Sequence, residues 1–93
     1  MKKKFACLDK NEAQKLASMI FIKDGKETFI TEILNVVDNE IVVLLKDKSA
    51  HSVLLKDNKE VESFVDFIQS VIEKQHKVDD TTILENQVEI TKK

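Results

Sequence analysis

The run DNKEVESFVDFIQSVIEKQH at residues 57–76 decides the architecture. Asp57 is an N-cap residue type, and Glu60 stands three residues later in the capping-box position. Val61, Phe64, Val65, Ile68, Val71 and Ile72 then recur at helical spacing and form one apolar stripe. Glu62, Asp66, Gln69 and Glu73 fall on the other side. Lys74, His76 and Lys77 put positive charge where the helix dipole ends negative. The spacing predicts a long amphipathic helix over about 58–76, stopped by Asp79-Asp80. A helix with one apolar face needs a surface to lay it on, and the rest of the chain supplies strands.

Upstream, residues 5–8 read as a short strand. Asp9 is a second N-cap with Glu12 as its capping-box partner, and Ala13, Leu16, Ala17 and Ile20 follow at helical spacing, so a short helix is expected over about 10–18. The next stretch reads as a meander. Residues 18–23 are rich in Ile, Met and Phe, and Asp24-Gly25 is a strong hairpin signal. Residues 27–37 read as the next strand. Phe29, Ile30, Ile33, Leu34 and Val37 also fit a helix face, but Thr28, Thr31 and the β-branched run favour extended backbone. Asp38-Asn39 makes a turn, residues 40–46 a strand, 47–50 a loop and 51–56 a further strand. Downstream of the long helix, Leu84, Val88 and Ile90 share one face of a last strand, with Glu85, Gln87 and Glu89 on the other. The expected class is therefore α+β: a short N-terminal helix, an antiparallel meander of three or four strands curled in an SH3- or Sm-like manner, the long helix, and a C-terminal strand. No linker, low-complexity segment or internal repeat divides it, and 93 residues suit a single domain over 1–93.

Ile41, Val42, Val43, Leu44 and Leu45 are apolar without interruption. That predicts a strand covered on both faces. Two helices are too few to cover both faces of a five- or six-stranded sheet. Either the sheet closes on itself or it packs on another chain, and the expected assembly is a homodimer.

Charge narrows the function. The formal net charge is −2, and all 15 basic residues are lysines. Five of these sit at the ends: Lys2, Lys3, Lys4, Lys92 and Lys93. Residues 5–91 keep the other 10 lysines against all 17 acids, a net of −7. The Lys2–Lys4 run reads as a solvated tail. The apolar stretch that follows it ends at Leu8, before Asp9, Lys10 and Asn11, too short for a signal-peptide core, so no secretory signal is expected, and no run approaches the ~18 apolar residues of a membrane span. A cytoplasmic protein with no membrane association follows.

Catalytic chemistry finds little footing. Cys7 is the single cysteine and reads as a small hydrophobe in an early strand. His51 and His76 read as surface residues. One Cys and two scattered His make no zinc site, and Gly25, the lone glycine, builds no phosphate loop. No cofactor, metal or enzyme activity is expected.

Residues 10–56, a helix followed by a meander whose first turn is Asp24-Gly25, resemble the Sm-like fold of the bacterial RNA chaperone. Ile30, Thr31 and Glu32 stand where that family has a second glycine, and no binding residues carry across. The resemblance implies a nucleic-acid-binding oligomer as the alternative reading. The acidic body, the lack of arginine and the lack of Tyr or Trp platforms disfavour nucleic acid. The favoured reading is a protein-binding inhibitor or regulator that covers a basic surface of a partner, the strategy of bacteriocin immunity proteins and phage-encoded inhibitors of host defence. Its expected contact residues are Glu60, Glu62, Asp66, Glu73, Asp79, Asp80, Glu85 and Glu89.

Overall fold

Both caps form. A computed structural model describes residues 2–20, 22–23, 26–27, 30–74 and 78–92, with side chains for 2–20, 30–73 and 81–91. Asp9 opens helix α1 (Lys10–Ile20) and Asp57 opens helix α2 (Asn58–Lys74). Each Asp Oδ1 accepts from the N–H three residues on, that of Glu12 or Glu60, at 2.9 Å. Neither glutamate completes a capping box by turning back on its own cap. Glu12 Oε2 accepts from the N–H of Leu54 at 3.2 Å, and Glu60 Oε2 accepts from the N–H of Ala6 at 3.2 Å. Each carboxylate reaches across the molecule to hold the strand that precedes the other helix.

The strands are β1 (Lys2–Ala6), β2 (Ile22–Lys23), β3 (Lys26–Glu27), β4 (Ile30–Val37), β5 (Glu40–Leu45), β6 (Ala50–Leu54), β7 (Val78–Leu84) and β8 (Gln87–Lys92). They make one antiparallel sheet in the order β1-β8-β7, a second in the order β4-β5-β6, and a small β2-β3 hairpin. An antiparallel bridge between Cys7 and Leu55 joins the two larger sheets. The α+β class is as expected. The strands are shared between two sheets instead of running on as one meander.

The arrangement is a repeat. Adding 48 to each residue number carries β1 onto β6, the start of α1 onto the start of α2, and Ile30, at the head of β4, onto Val78 at the head of β7. The bulge at Ile30/Glu32 then falls on the bulge at Val78/Asp80. A second bulge at Ile33/Asn35 gives the first unit one extra residue, Leu34. From there an offset of 47 carries Asp38-Asn39 onto Glu85-Asn86 and Ile41 onto Val88. Pairing follows suit: Lys2↔Thr91 through Ala6↔Gln87 corresponds step for step to Ala50↔Leu44 through Leu54↔Glu40. Leu8 N–H donates to Leu54 O at 3.1 Å, and its counterpart Lys56 N–H donates to Ala6 O at 3.0 Å. Cys7 N–H bonds Asn86 O and Leu55 N–H bonds Asn39 O, while the Asn39 and Asn86 carboxamides donate to Leu55 O and Cys7 O at 2.8 and 2.9 Å. Exchanging the units leaves this bond set unchanged, so the two β-α-β-β units are related by a local twofold axis through the Cys7–Leu55 bridge. The reading of the sequence as free of internal repeats is corrected.

The units interlock. Each larger sheet takes two strands from one unit and one from the other. Helix α1 packs on β6, β7 and β8 of the second unit, and α2 packs on β1 and β4 of the first. All the large buried side chains fall in one core. Phe64 and Ile68 are fully buried as expected, and Ile72 is half-buried against the same cluster. Phe64 meets Phe5 edge to face, with ring centroids 5.1 Å apart.

Three further expectations change, while the strand favoured for 27–37 is present as β4 (Ile30–Val37). The helix-like spacing in 27–37 comes from the bulges. They make Ile30, Ile33 and Val36 the partners of Leu45, Val43 and Ile41, a period of three on one face of a strand. Of the stretch 18–23, residues 18–20 are the last turn of α1 and 22–23 are β2, while residue 21 and Asp24-Gly25 lie outside the described residues. The Lys2–Lys4 run is no tail. It pairs with β8, and Lys3 Nζ lies 3.5 Å from Ser63 Oγ. The single last strand is a hairpin: Val78 continues into β7, Glu85 turns with φ 56°, and Leu84 is 69% exposed instead of sharing a face with Val88 and Ile90. No glycine or proline marks that turn. Within the single chain, the apolar run at 41–45 is covered fully on one face only. Ile41, Val43 and Leu45 face the core, while Val42 and Leu44 lie half-buried on the outer face.

Two stability measurements follow. Truncating Phe64 to Ala should cost roughly 3–5 kcal/mol in chemical denaturation, because its ring is fully buried. Glu12→Ala and Glu60→Ala each leave a strand amide without its acceptor and should each cost about 1–3 kcal/mol. The twofold relation predicts similar losses from the two. A loss from one alone would contradict it.

Candidate functional site: an acid-rimmed groove

Cys7 is fully buried at the bridge. Its thiol is pushed up to about 12, first by burial and then by the charges of Glu12, Glu60 and Asp9. It is protonated at neutral pH and unreactive. Around the β5–β6 loop, Ser49 donates to Asp47 Oδ1 at 2.5 Å and lies 2.9 Å from His51 Nε2. The residue types are those of a hydrolase triad, but the order is wrong. The carboxylate takes the serine proton and leaves the imidazole unoriented, so His51 is not set to act as base on Ser49. The Ser49 bonds instead hold Asp47 below the usual carboxylate range. They brace a tight loop in which Lys48 takes φ 73°. His76 lies outside the described residues. Among the described residues, no three His, Cys, Asp or Glu gather to hold a metal ion. No helix among them is long and apolar enough to cross a membrane.

The eight acids singled out in the sequence are dispersed. Glu60 is turned inward on Ala6. Glu89 is half-buried on β8, 4.0 Å from Lys4 Nζ. Glu85 sits in the exposed β7–β8 turn, and the side chains of Asp79 and Asp80 lie outside the described set. Glu62, Asp66 and Glu73 share one helix. All are exposed, and their spacing lines one face of α2.

At its C-terminal half that face borders a groove against β4. A cavity of about 200 Å³ is lined by Thr31, Glu32, Ile33, Gln69, Ile72 and Glu73. The half-buried Ile33 and Ile72 make its floor apolar, and Glu32 and Glu73 supply its carboxylates. A long cationic side chain suits such a place, with its methylenes on the isoleucines and its charge among the carboxylates. The sequence reading missed Glu32. It sits on a strand 41 positions before Glu73, and only the swapped packing of α2 onto β4 brings the two to one groove. The signal that does exist in the sequence is the recurrence of Asp-x-x-Glu at 9–12 and 57–60.

No protein-family model matches this chain, and neither does any curated protein or solved structure.

The thiol gives a direct check on the site's chemistry. In the native protein Cys7 should resist iodoacetamide at mildly alkaline pH and should label at once in guanidinium. Fast native labelling would mean that the bridge opens readily. The folded thiol titrates above the unfolded one, so the unfolded chain loses its proton first. Stability should therefore fall as pH rises past the ordinary thiol range near ~8.5, and Cys7→Ala should lessen that fall.

Proposed function

We propose that this protein is a non-catalytic, cytoplasmic protein-binding module that regulates or inhibits a partner by covering a basic surface of it. The groove between α2 and β4 supports this reading most directly: it pairs an apolar floor with Glu32 and Glu73, and Glu62 and Asp66 continue the negative charge along α2. The seat suits Lys and Arg side chains, and the acidic face would raise the association rate with a basic partner at low salt. The body charge of −7 over residues 5–91 works in the same direction.

The alternative is nucleic-acid binding. The observation on its side is that Lys2 and Lys4 are both exposed on β1. The two classes separate in one experiment. The protein is used as bait in a lysate with and without nuclease, and the capture is repeated with a Glu32→Gln/Glu73→Gln variant. The proposal expects a nuclease-resistant protein partner, weaker binding as salt rises, and a loss of roughly 2- to 30-fold in affinity for the double variant. Recovered RNA or DNA that disappears when Lys2 and Lys4 are neutralised would overturn it, as would a partner held equally well by the double variant.

A further inference from the structure

The two units are joined by one short loop. Strand β5 ends the first unit at Leu45, and β6 opens the second at Ala50. Leu45 N–H donates to Ser49 O and Lys48 N–H to Leu45 O, both at 2.9 Å, so residues 46–48 form a three-residue hairpin loop. The last position of such a loop takes left-handed backbone and usually falls to glycine; here Lys48 holds it at φ 73°. Asp47 keeps the loop shut. Its Oδ1 accepts from Ser49 N–H at 2.9 Å and from Ser49 Oγ at 2.5 Å.

Register decides whether a hairpin can open into one straight strand. Side chains alternate along a strand, so the inward residues of both arms must all be odd-numbered or all even-numbered. In β5–β6 this holds: Ile41 pairs with Val53 and Leu44 with Ala50. The buried residues of the two arms, Ile41, Val43, Leu45, Val53 and Leu55, are all odd-numbered. A strand running straight from 41 to 55 keeps every one of them on its inner face. The hairpins closed by Lys23↔Lys26, Val37↔Glu40 and Leu84↔Gln87 pair odd with even. Straightening any of those turns one arm inside out. Among the described hairpins, only the one between the units can open with its core face intact.

We propose that the chain forms a dimer by exchanging its units through this loop: β5 and β6 run on as one strand, and the first unit of each copy folds with the second unit of the other. The interface itself selects a second copy. Each unit gives a strand to the other's sheet and packs its helix on the other's strands, and one core is drawn from both. An incoming chain has to supply the Glu60 carboxylate for Ala6 N–H, the Asn86 carboxamide for Cys7 O and the Phe64 ring for Phe5. A second copy supplies all three in register. The bonds given up between the units of one chain are regained between chains, so the two forms differ only at the loop. Extending the β5–β6 register through it sets Asp47 opposite the partner's Asp47 on the dimer axis. Like charges directly opposite repel, so Asp47 favours the monomer twice, by its bonds to Ser49 and by this repulsion. Lys48 favours the dimer, because extended backbone releases its positive φ. The α2–β4 groove lies between units and is rebuilt twice in the dimer, each time from two chains.

The full chain is refolded from guanidinium at low micromolar and at millimolar concentration, and its mass is read by light scattering. Dilute refolding is expected to give monomer, and concentrated refolding a dimer with the monomer's circular dichroism spectrum. Lys48→Gly should raise the dissociation constant of that dimer roughly tenfold or more, and Asp47→Ala should lower it by a similar factor. Leu55→Cys places a thiol opposite Cys7 at the bridge. The two bonds flanking that pair make it the closer, non-hydrogen-bonded kind, within disulfide reach. Oxidised after concentrated refolding, this variant should keep dimer mass in denaturant until reductant is added. In a dimer formed through any outer surface the disulfide closes within each chain, and denaturant leaves monomer. Deleting residues 46–49 leaves Leu45 alone to reverse the chain between Leu44 and Ala50, fewer than the two residues of the tightest common hairpin, while the straight strand keeps its alternation. That variant is expected at dimer mass even when dilute, and it decides the matter if Leu55→Cys does not fold. The proposal is overturned by a wild type that stays monomeric at millimolar concentration, by an oxidised Leu55→Cys dimer that falls to monomer mass in denaturant, or by a folded monomeric deletion variant. None of these outcomes turns on Glu32 or Glu73, so the reading of the groove stands or falls separately.

Discussion

The rest of the structure depends on the crossing at Cys7 and Leu55. Two strand ends meet there antiparallel on the local axis, and each delivers a backbone bond to the other unit. Each strand end leads at once into a helix whose first turn bears the carboxylate that holds the opposite strand. One side chain thus does two things: its position in the first helical turn suits the dipole, and its carboxylate satisfies an amide of the other unit. The Asn39 and Asn86 carboxamides close the remaining carbonyls. The half-buried carboxylates near the thiol each accept a strand amide, and Cys7 stays neutral beside them.

This accounts for which residues the two units share. Under the offsets of 48 and 47, few positions agree, and Asp9/Asp57, Glu12/Glu60 and Asn39/Asn86 are among them. Those six are the side chains that make the twofold-related bonds. Core positions need only an apolar group of suitable volume, so Val53 is the buried counterpart of Phe5, and Phe64 that of Leu16, without harm. Directional bonds have no such latitude. A carboxamide that must donate to one carbonyl has few substitutes.

That difference also explains how much was legible in the sequence. The long helix was clear because its stripe is periodic over about three turns, and the caps were clear because Asp-x-x-Glu is a local pattern. The hairpin at Glu85-Asn86 was hidden because it uses positive φ on a glutamate, without glycine to announce it. The strand character of β4 was blurred because two bulges impose a period of three on a structure whose signature is a period of two. The repeat was invisible to composition, since its signal lies in three pairs of polar residues. The groove was the least legible of all. Glu32 and Glu73 converge only because each helix packs on the other unit's strands, and that exchange leaves no trace in local spacing.

A duplicated β-α-β-β unit sets itself one problem twice. Each copy ends in a hairpin whose outer strand, β4 or β7, is a sheet edge beside the other copy's helix. The fold therefore makes two equivalent grooves, and nothing in the core requires them to stay alike. One is lined by Glu32 and Glu73, and in its strand the Val36 N–H bonds Asn35. The other is lined by six uncharged residues, Gln14, Ala17, Ser18, Thr81, Thr82 and Ile83. β4 carries a second bulge, at Ile33/Asn35, that β7 does not. The core ties both units to one set of twofold-related bonds, so the difference between the grooves lies in side chains that those bonds leave unconstrained.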